Sequence, residues 1–201
     1  MKVNNLLYMT DDTIYLKNKK QKNIIKHKIN KNIIKYGKIY NIAKFIKEYN
    51  LFLNKYHLNN NLFGDTIKII INPLYSPADI TFLKTIMEKL NYRRIIFENE
   101  IKRYKLNNEK AYLNIQDNYL FLSYIDEYKK VNSLFIPSDF FATFSDLLNY
   151  IKSKIKDKDL YLIGKCERVD EIFTVFENKY HNKTYLFTDH ELYLLNSVHS
   201  M

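Results

Sequence analysis

The two halves of this 201-residue chain repeat one order of secondary-structure elements, and this repeat limits the fold more than any other feature. The second half predicts three strands and then a helix, a strand, a helix and a strand, at residues 111–117, 119–124, 131–136, 140–155, 160–163, 166–176 and 185–187. The charged segment after residue 187 can form one more helix. Asp117-Asn118 is a turn pair between the first two strands, and Ser138-Asp139 can cap the first helix. A duplicated unit of this kind defines a fold class but does not by itself define a function.

The first half gives the same order, with a lysine-rich segment in place of the third strand. Its strands and helices are predicted at residues 6–8, 13–16, 41–56, 67–71, 77–90 and 94–97, with a short polar helix at 98–105. Ser76 followed by Pro77 is a helix-start signal, and Asn107-Asn108 is the expected boundary between the halves. We therefore expect an α/β protein with two domains, residues 1–107 and 108–201.

Composition indicates a folded protein of a reducing compartment. Hydrophobic residues make up 46% of the chain, which is enough for a sizeable core. The single cysteine, Cys166, excludes an internal disulfide framework. The N-terminus does not resemble a signal peptide, and no apolar run is long enough to span a membrane. We therefore expect a cytoplasmic protein, and its abundant Lys, Asn and Ile suggest an AT-rich genome.

Positive charge is concentrated in the first half. Residues 1–109 contain 21 Lys and Arg against 9 Asp and Glu, and most of the excess lies between Lys17 and Lys38. This basic segment could attract an acidic protein partner or a nucleic acid. The alternative is a long solvated hairpin whose charge reflects genome composition only. For partner binding, the candidate residues are Lys19, Lys20 and Lys22, which would attract the partner, and Ile24, Ile33 and Tyr36, which would anchor it.

No catalytic or metal-binding motif stands out. The five histidines are dispersed without metal-ligand spacing, and Cys166 has no base within a local motif. We therefore predict no catalytic residue, no metal site and no enzyme activity.

The chain resembles a shortened actin-like protein of the FtsA and PilM kind, within the actin and sugar-kinase superfamily. Residues 67–73 with 76–90 look like the family's buried strand and the helix that follows it, and residues 95–100 look like its acidic strand. Residues 111–123 are similar to the second phosphate hairpin, and residues 160–164 with 168–176 to the adenosine loop and its following helix. The resemblance implies two tandem ribonuclease-H-like halves of βββαβα type in a minimal actin-like fold, since the chain has no room for the inserted subdomains of larger relatives. The family holds its nucleotide between the two halves.

The resemblance also gives the candidate nucleotide residues, which are Asp11, Asp12, Thr13, Asp117, Asn118 and Gly164. Family phosphate loops use glycines, because backbone amides must approach the phosphates closely. The chain has only three glycines, and neither predicted phosphate turn contains one. We therefore expect no cofactor, and a degenerate pseudo-ATPase rather than an enzyme that uses ATP and Mg²⁺.

Two further activities remain open on this fold. One is a weak ATPase, in which Asp11, Asp12 and Asp117 hold a metal-bound nucleotide. The other is a ribonuclease-H-like nuclease, for which Asp11 or Asp12, with Asn72 and Glu98 or Glu100, gives a partial carboxylate set.

The function that we expect from the sequence is that of a non-catalytic scaffold or adaptor. It would bind other proteins in cell division or envelope assembly, and a partner would recruit it from the cytoplasm to the membrane. A basic nucleic-acid-binding protein on the same fold is the alternative.

Overall fold

The computed structural model describes residues 5–18, 23–58, 65–104, 106–164 and 167–187, and these form two compact units. The first unit ends at Glu100 and the second begins at Ile101. Each unit is built around one five-stranded mixed sheet with its own hydrophobic core.

The first unit contains seven strands and two helices among its described residues. They are β1 (Asn5–Met9), β2 (Thr13–Asn18), β3 (Ile25–Lys28), β4 (Ile34–Lys35), β5 (Lys38–Ile39), α1 (Ile42–Lys55), β6 (Asp65–Ile71), α2 (Pro77–Lys89) and β7 (Tyr92–Asn99). The sheet order is β3-β2-β1-β6-β7, with β1, β2 and β3 antiparallel and β1, β6 and β7 parallel. Strands β4 and β5 form a separate small hairpin.

The second unit repeats this topology. Its elements are β8 (Lys110–Ile115), β9 (Tyr119–Ile125), β10 (Val131–Pro137), α3 (Phe144–Ile155), β11 (Asp159–Gly164), α4 (Glu167–Lys179) and β12 (Thr184–Phe187). The sheet order β10-β9-β8-β11-β12 is the order of the first unit, strand for strand. The predicted pair of βββαβα halves is therefore confirmed.

The lysine-rich segment contributes to the core of the first unit. Strand β3 pairs with β2 as the third strand of the sheet, and the isoleucines that interrupt the lysines are buried, at positions 25, 29, 33, 34 and 39. The expectation of a long solvated hairpin is therefore wrong for residues 25–39. Burial of each isoleucine contributes roughly 1.5–3 kcal/mol, so these residues hold the segment against the sheet.

Helix starts agree with the sequence in one unit and differ in the other. Ser76 caps α2 in a complete capping box, because its side chain accepts from the Asp79 amide and the Asp79 carboxylate accepts from the Ser76 amide. The predicted Ser138-Asp139 cap is wrong, since α3 begins after Thr143, whose hydroxyl accepts from the amide of Asp146. The short polar helix predicted at 98–105 is also wrong. Residue 98 belongs to β7, and a single 3₁₀ turn spans Glu100–Arg103.

None of the described helices is long and apolar enough to cross a membrane.

Candidate functional site

The β1–β2 turn is the first predicted phosphate loop, and it is closed by its own hydrogen bonds. The amide of Thr10 donates to the carbonyl of Thr13 at 2.9 Å, and the Thr13 amide returns a bond to the Thr10 hydroxyl at 3.2 Å. The Thr13 hydroxyl donates to Asp12 Oδ1 at 2.8 Å. Neither Asp11 nor Asp12 has a positive φ. An anion-binding nest alternates right- and left-handed backbone, so this turn lacks the geometry of a phosphate cradle.

The other acidic residue of that turn binds the protein's own backbone. Asp11 Oδ1 accepts a hydrogen bond from the amide of Gly37 at 2.9 Å. Gly37 lies at the apex of the β4–β5 hairpin, which we call the latch hairpin (residues 34–39). Asn72 Nδ2 donates to the carbonyl of Tyr36 at 2.7 Å, and the Tyr75 hydroxyl donates to the carbonyl of Gly37 at 2.6 Å. The latch hairpin is thus fastened to the end of the sheet where the first phosphate loop lies.

Only glycine fits at position 37. Its φ is +70°, and an added Cβ would lie 2.7 Å from Asn72 Nδ2. Tyr36 has a φ of 53°, so the two residues form a turn with positive φ at both central positions, which suits a tight hairpin. The sequence signal for this turn is Gly37 in Lys35-Tyr36-Gly37-Lys38, with Ile33-Ile34 before it and Ile39-Tyr40 after it.

An ion pair completes the attachment of the latch hairpin. Lys38 Nζ lies 2.7 Å from Asp79 Oδ2 in the first turn of α2. The hydrogen bond from Lys38, aided by the Ser76 amide and hydroxyl, lowers the pKa of Asp79 to about 2. Burial raises the pKa of the neighbouring Tyr75, so its hydroxyl remains a hydrogen-bond donor at all ordinary pH values.

The β8–β9 turn, the second predicted phosphate loop, has the same construction. The Gln116 amide donates to the carbonyl of Tyr119 at 2.9 Å, and Asp117 and Asn118 occupy the two exposed positions between them. Neither has a positive φ. The carbonyl of Asn118 accepts from the amide of Ser138 at 3.2 Å, which ties the turn to the end of β10.

Gly164, the predicted adenosine-loop residue, is explained by packing within the second unit. It pairs with Ile115 across the β8–β11 ladder, and an added Cβ would lie 2.4 Å from the Ile115 carbonyl oxygen. The same atom would lie 2.9 Å from Val169 Cγ2 in α4. A glycine is therefore required here for close approach of strand and helix, with no reference to a ligand.

The predicted partner-binding residues separate into three groups. Lys19, Lys20 and Lys22 lie outside the described residues. Ile24 is partly buried, and Ile33 is only 2% exposed, so its side chain packs inside the molecule instead of facing a partner. Tyr36 is 43% exposed. Tyr40, which no sequence pattern singled out, is 71% exposed beside the latch hairpin.

Two residues of the partial carboxylate set for a nuclease, Glu98 and Asn72, make contacts within the protein. Glu98 forms an ion pair with Lys68 at 3.4 Å, and Asn72 binds the latch hairpin and the amide of Leu74. Within the described part of the chain, no three His, Cys, Asp or Glu side chains are grouped closely enough to hold a metal ion.

An open groove of about 760 Å³ lies in the second unit, lined by the start of β11, the end of α3 and the β9–β10 connection. The groove and the Asp117-Asn118 turn lie at opposite ends of the strands, because β8 begins beside the groove and ends just before that turn. Two of the groove's charged groups have partners: Lys156 pairs with Glu127 at 2.9 Å, and hydrogen bonds led by the Lys130 amide lower the pKa of Asp126.

Comparison with solved structures identifies the architecture. EutJ, an ethanolamine utilization protein from Carboxydothermus hydrogenoformans, aligns with a TM-score of 0.69 and 9% identity over 98% of this chain and 89% of its own. MreB5 of Spiroplasma citri bound to AMPPNP aligns with a TM-score of 0.66 and 8% identity over 98% and 95%. A Bacteroides thetaiotaomicron protein with an actin-like ATPase fold aligns with a TM-score of 0.60 and 9% identity over 96% and 95%. The chain has the actin-like fold.

No family model and no curated protein matches the sequence, so the likeness concerns the actin-like fold alone. The predicted fold class is confirmed, including its minimal form. Within the described residues, only the latch hairpin and its flanking turns separate β3 from α1, and only a short loop separates β10 from α3. No inserted subdomain is present at either place in the described chain.

Proposed function

We propose that the protein is a non-catalytic actin-like scaffold, a pseudo-ATPase that acts by binding other proteins. One observation carries the proposal: the two turns at the phosphate-loop positions are closed on themselves, and the Asp11 carboxylate of the first turn binds the latch hairpin. The MreB5 neighbour was solved with AMPPNP, so the fold is compatible with a bound nucleotide, and the proposal rests on the turns of this chain.

Electrostatics supports the same conclusion. Asp11 and Asp12 place two carboxylates in the first turn, where a polyphosphate would need donors. Asp117 adds a third carboxylate in the second turn. A phosphate cradle depends on successive backbone amides that converge on the anion, and neither turn has a left-handed residue to create that convergence. The weak ATPase therefore remains the less favoured alternative.

The finer parts of the proposal rest on the resemblance. We assign the protein to the FtsA and PilM branch, with a role in cell division or envelope assembly and recruitment from the cytoplasm to the membrane by a partner. The strand and helix at Asp65–Ile71 and Pro77–Lys89 support this assignment by pattern.

A phosphate-release assay with ATP and Mg²⁺ tests the pseudo-ATPase part. We expect a rate equal to that of a sample in which Asp11→Ala and Asp117→Ala are combined. A rate that is clearly above background and falls in the double variant would show that the turns support catalysis and would refute the proposal.

Nucleic-acid binding is a second candidate, because residues 28–44 contain five lysines and no acidic residue. A gel-shift assay with DNA and RNA at two salt concentrations separates it from protein binding, since phosphate contacts give a steep salt dependence.

A further inference from the structure

The latch hairpin and the residue that follows it present two tyrosines to solvent. Tyr40 is 71% exposed and Tyr36 is 43% exposed. Lys35 lies with them, and its Nζ is 5.3 Å from the centre of the Tyr40 ring. Exposed tyrosines beside a cation are typical of residues that contribute most of the binding energy at protein interfaces.

The chain segment that carries this surface is basic, while Asp11 and Asp79 contact it from other segments. Residues 28–44 carry lysines at positions 28, 31, 35, 38 and 44 and no Asp or Glu. Asp79 pairs with Lys38, while Lys28, Lys31, Lys35 and Lys44 are exposed. These four exposed lysines have no acidic residue within their own segment of the chain. Their positive charge therefore favours a partner that supplies carboxylates.

The hairpin is held in position before any partner arrives. Its carbonyl and amide groups at the apex bind Asn72, Tyr75 and Asp11, at 2.6–2.9 Å. Asp11 lies in the β1–β2 turn, whereas Asn72 and Tyr75 both lie in the β6–α2 connection, so the hairpin is fixed relative to the sheet from two places. A surface that is already ordered loses less conformational entropy on binding.

We propose that this surface, composed of Tyr36, Tyr40, Lys31 and Lys35, is a docking site for an acidic peptide segment of a protein partner. The inference rests on the proposed protein-binding function and specifies the partner's chemistry. Carboxylates of the peptide pair with the lysines, and its apolar side chains pack on the tyrosines. A nucleic acid, which the same positive charge would attract, is the alternative occupant and a separate outcome of the test.

The test uses the full chain and a fluorescein-labelled, glutamate-rich peptide that also contains leucines, with fluorescence anisotropy as the readout. We expect saturable binding that weakens about tenfold in Tyr36→Ala/Tyr40→Ala, the change typical of lost anchors. Lys31→Gln/Lys35→Gln should weaken binding several-fold at low salt, with a smaller effect at physiological salt.

The matched control is Lys84→Gln/Lys89→Gln. It removes the same charge from exposed positions of the same unit, on α2. We expect this variant to bind the peptide like the parent. Equal weakening in the two lysine variants would mean that only net charge matters, and it would overturn the docking site.

Tyr75→Phe tests whether the latch prepares the surface. The change removes the hydroxyl that donates to the Gly37 carbonyl and leaves both exposed tyrosines in place. We expect affinity to fall about threefold or more, with most of the effect in faster dissociation. Unchanged affinity in this variant would refute the role of the latch in positioning the surface.

The outcomes also separate this inference from the proposed function. Absence of saturable peptide binding overturns the docking site, and so does loss of DNA or RNA binding with a steep salt slope in the tyrosine variant. Neither result bears on the binding or turnover of ATP, which tests the pseudo-ATPase proposal. Circular dichroism of each variant shows that the fold is retained.

Discussion

The Asp11 carboxylate accepts a hydrogen bond from the backbone amide of Gly37, which lies 26 residues further along the chain. This contact joins the turn at a phosphate-loop position to the latch hairpin. The structure therefore gives Asp11 a role within the protein that requires no ligand.

Asp11→Ala should release the apex of the latch hairpin. Loss of a hydrogen bond to a charged group costs about 1–2 kcal/mol of unfolding free energy, and the Gly37 amide should exchange with solvent much faster. Hydrogen exchange followed by NMR measures the amide directly. The control is Asp117→Ala in the exposed second turn, for which we expect a change within about 0.5 kcal/mol. Equal protection of Gly37 in Asp11→Ala and the parent would contradict the latch.

The buried hydroxyls of Tyr49 and Tyr92 lie 2.9 Å apart and should be energetically coupled. Burial, reinforced by the neighbouring Tyr92, raises the pKa of Tyr49 well above its usual value, so the Tyr49 hydroxyl stays neutral. Tyr49→Phe leaves a polar atom without its partner and should cost about 1–2 kcal/mol, whereas adding Tyr92→Phe should cost little more. Urea unfolding of the two single variants and the double variant measures the coupling. Strict additivity would show that the hydroxyls act independently.

Gly164→Ala should destabilise the second unit because the new methyl group would overlap the Ile115 carbonyl. We expect a loss of about 1–3 kcal/mol, the usual range for overpacking, measured by chemical denaturation. Thr174→Ala, at an exposed position of α4, serves as the control and should change stability by less than about 0.5 kcal/mol. A fully stable Gly164→Ala protein would mean that strand and helix are further apart than described.

The ion pair between Asp79 and Lys38 should be visible in acid titrations. The pKa of Asp79 is lowered from its usual 3.8 to about 2, so its stabilising effect is complete above pH 3.8 and disappears as the pH falls through about 2. Lys38→Gln removes the largest cause and should raise this pKa, although the Ser76 amide and hydroxyl still lower it. NMR titration of the Asp79 carboxyl carbon provides the measurement. An unchanged pKa in Lys38→Gln would show that the helix cap alone sets the value.

Local patterns were sufficient to predict the fold. Alternation and turn residues placed the strands of the two sheets other than β3, which lies in the lysine-rich segment, and Ser76-Pro77 located the start of α2, because these signals act over a few residues. The start of α3 was missed since Thr143 and Ser138 are both good caps, and tertiary packing selects between them. Ile33 was assigned to a surface because its neighbours are polar, and only the position of the hairpin against the sheet buries it.

The site could be predicted only in part. The lack of glycine in the turns at 11–12 and 117–118 was readable from the sequence, and it already argued against a phosphate cradle. The bond from Gly37 to Asp11 was not readable, because it joins two turns that are distant in sequence and depends on where β6 ends. Contacts of this kind follow from the completed fold.

The most direct test of the pseudo-ATPase proposal is a calorimetric titration of the full-length protein with ATP in the presence of Mg²⁺. We expect no saturable heat at nucleotide concentrations up to about 1 mM, which corresponds to binding weaker than about −4 kcal/mol. Asp11→Ala and Asp117→Ala should give the same flat titration as the parent. A saturable, magnesium-dependent isotherm with a micromolar Kd, weakened by either substitution, would show that the turns hold a nucleotide and would contradict the proposal.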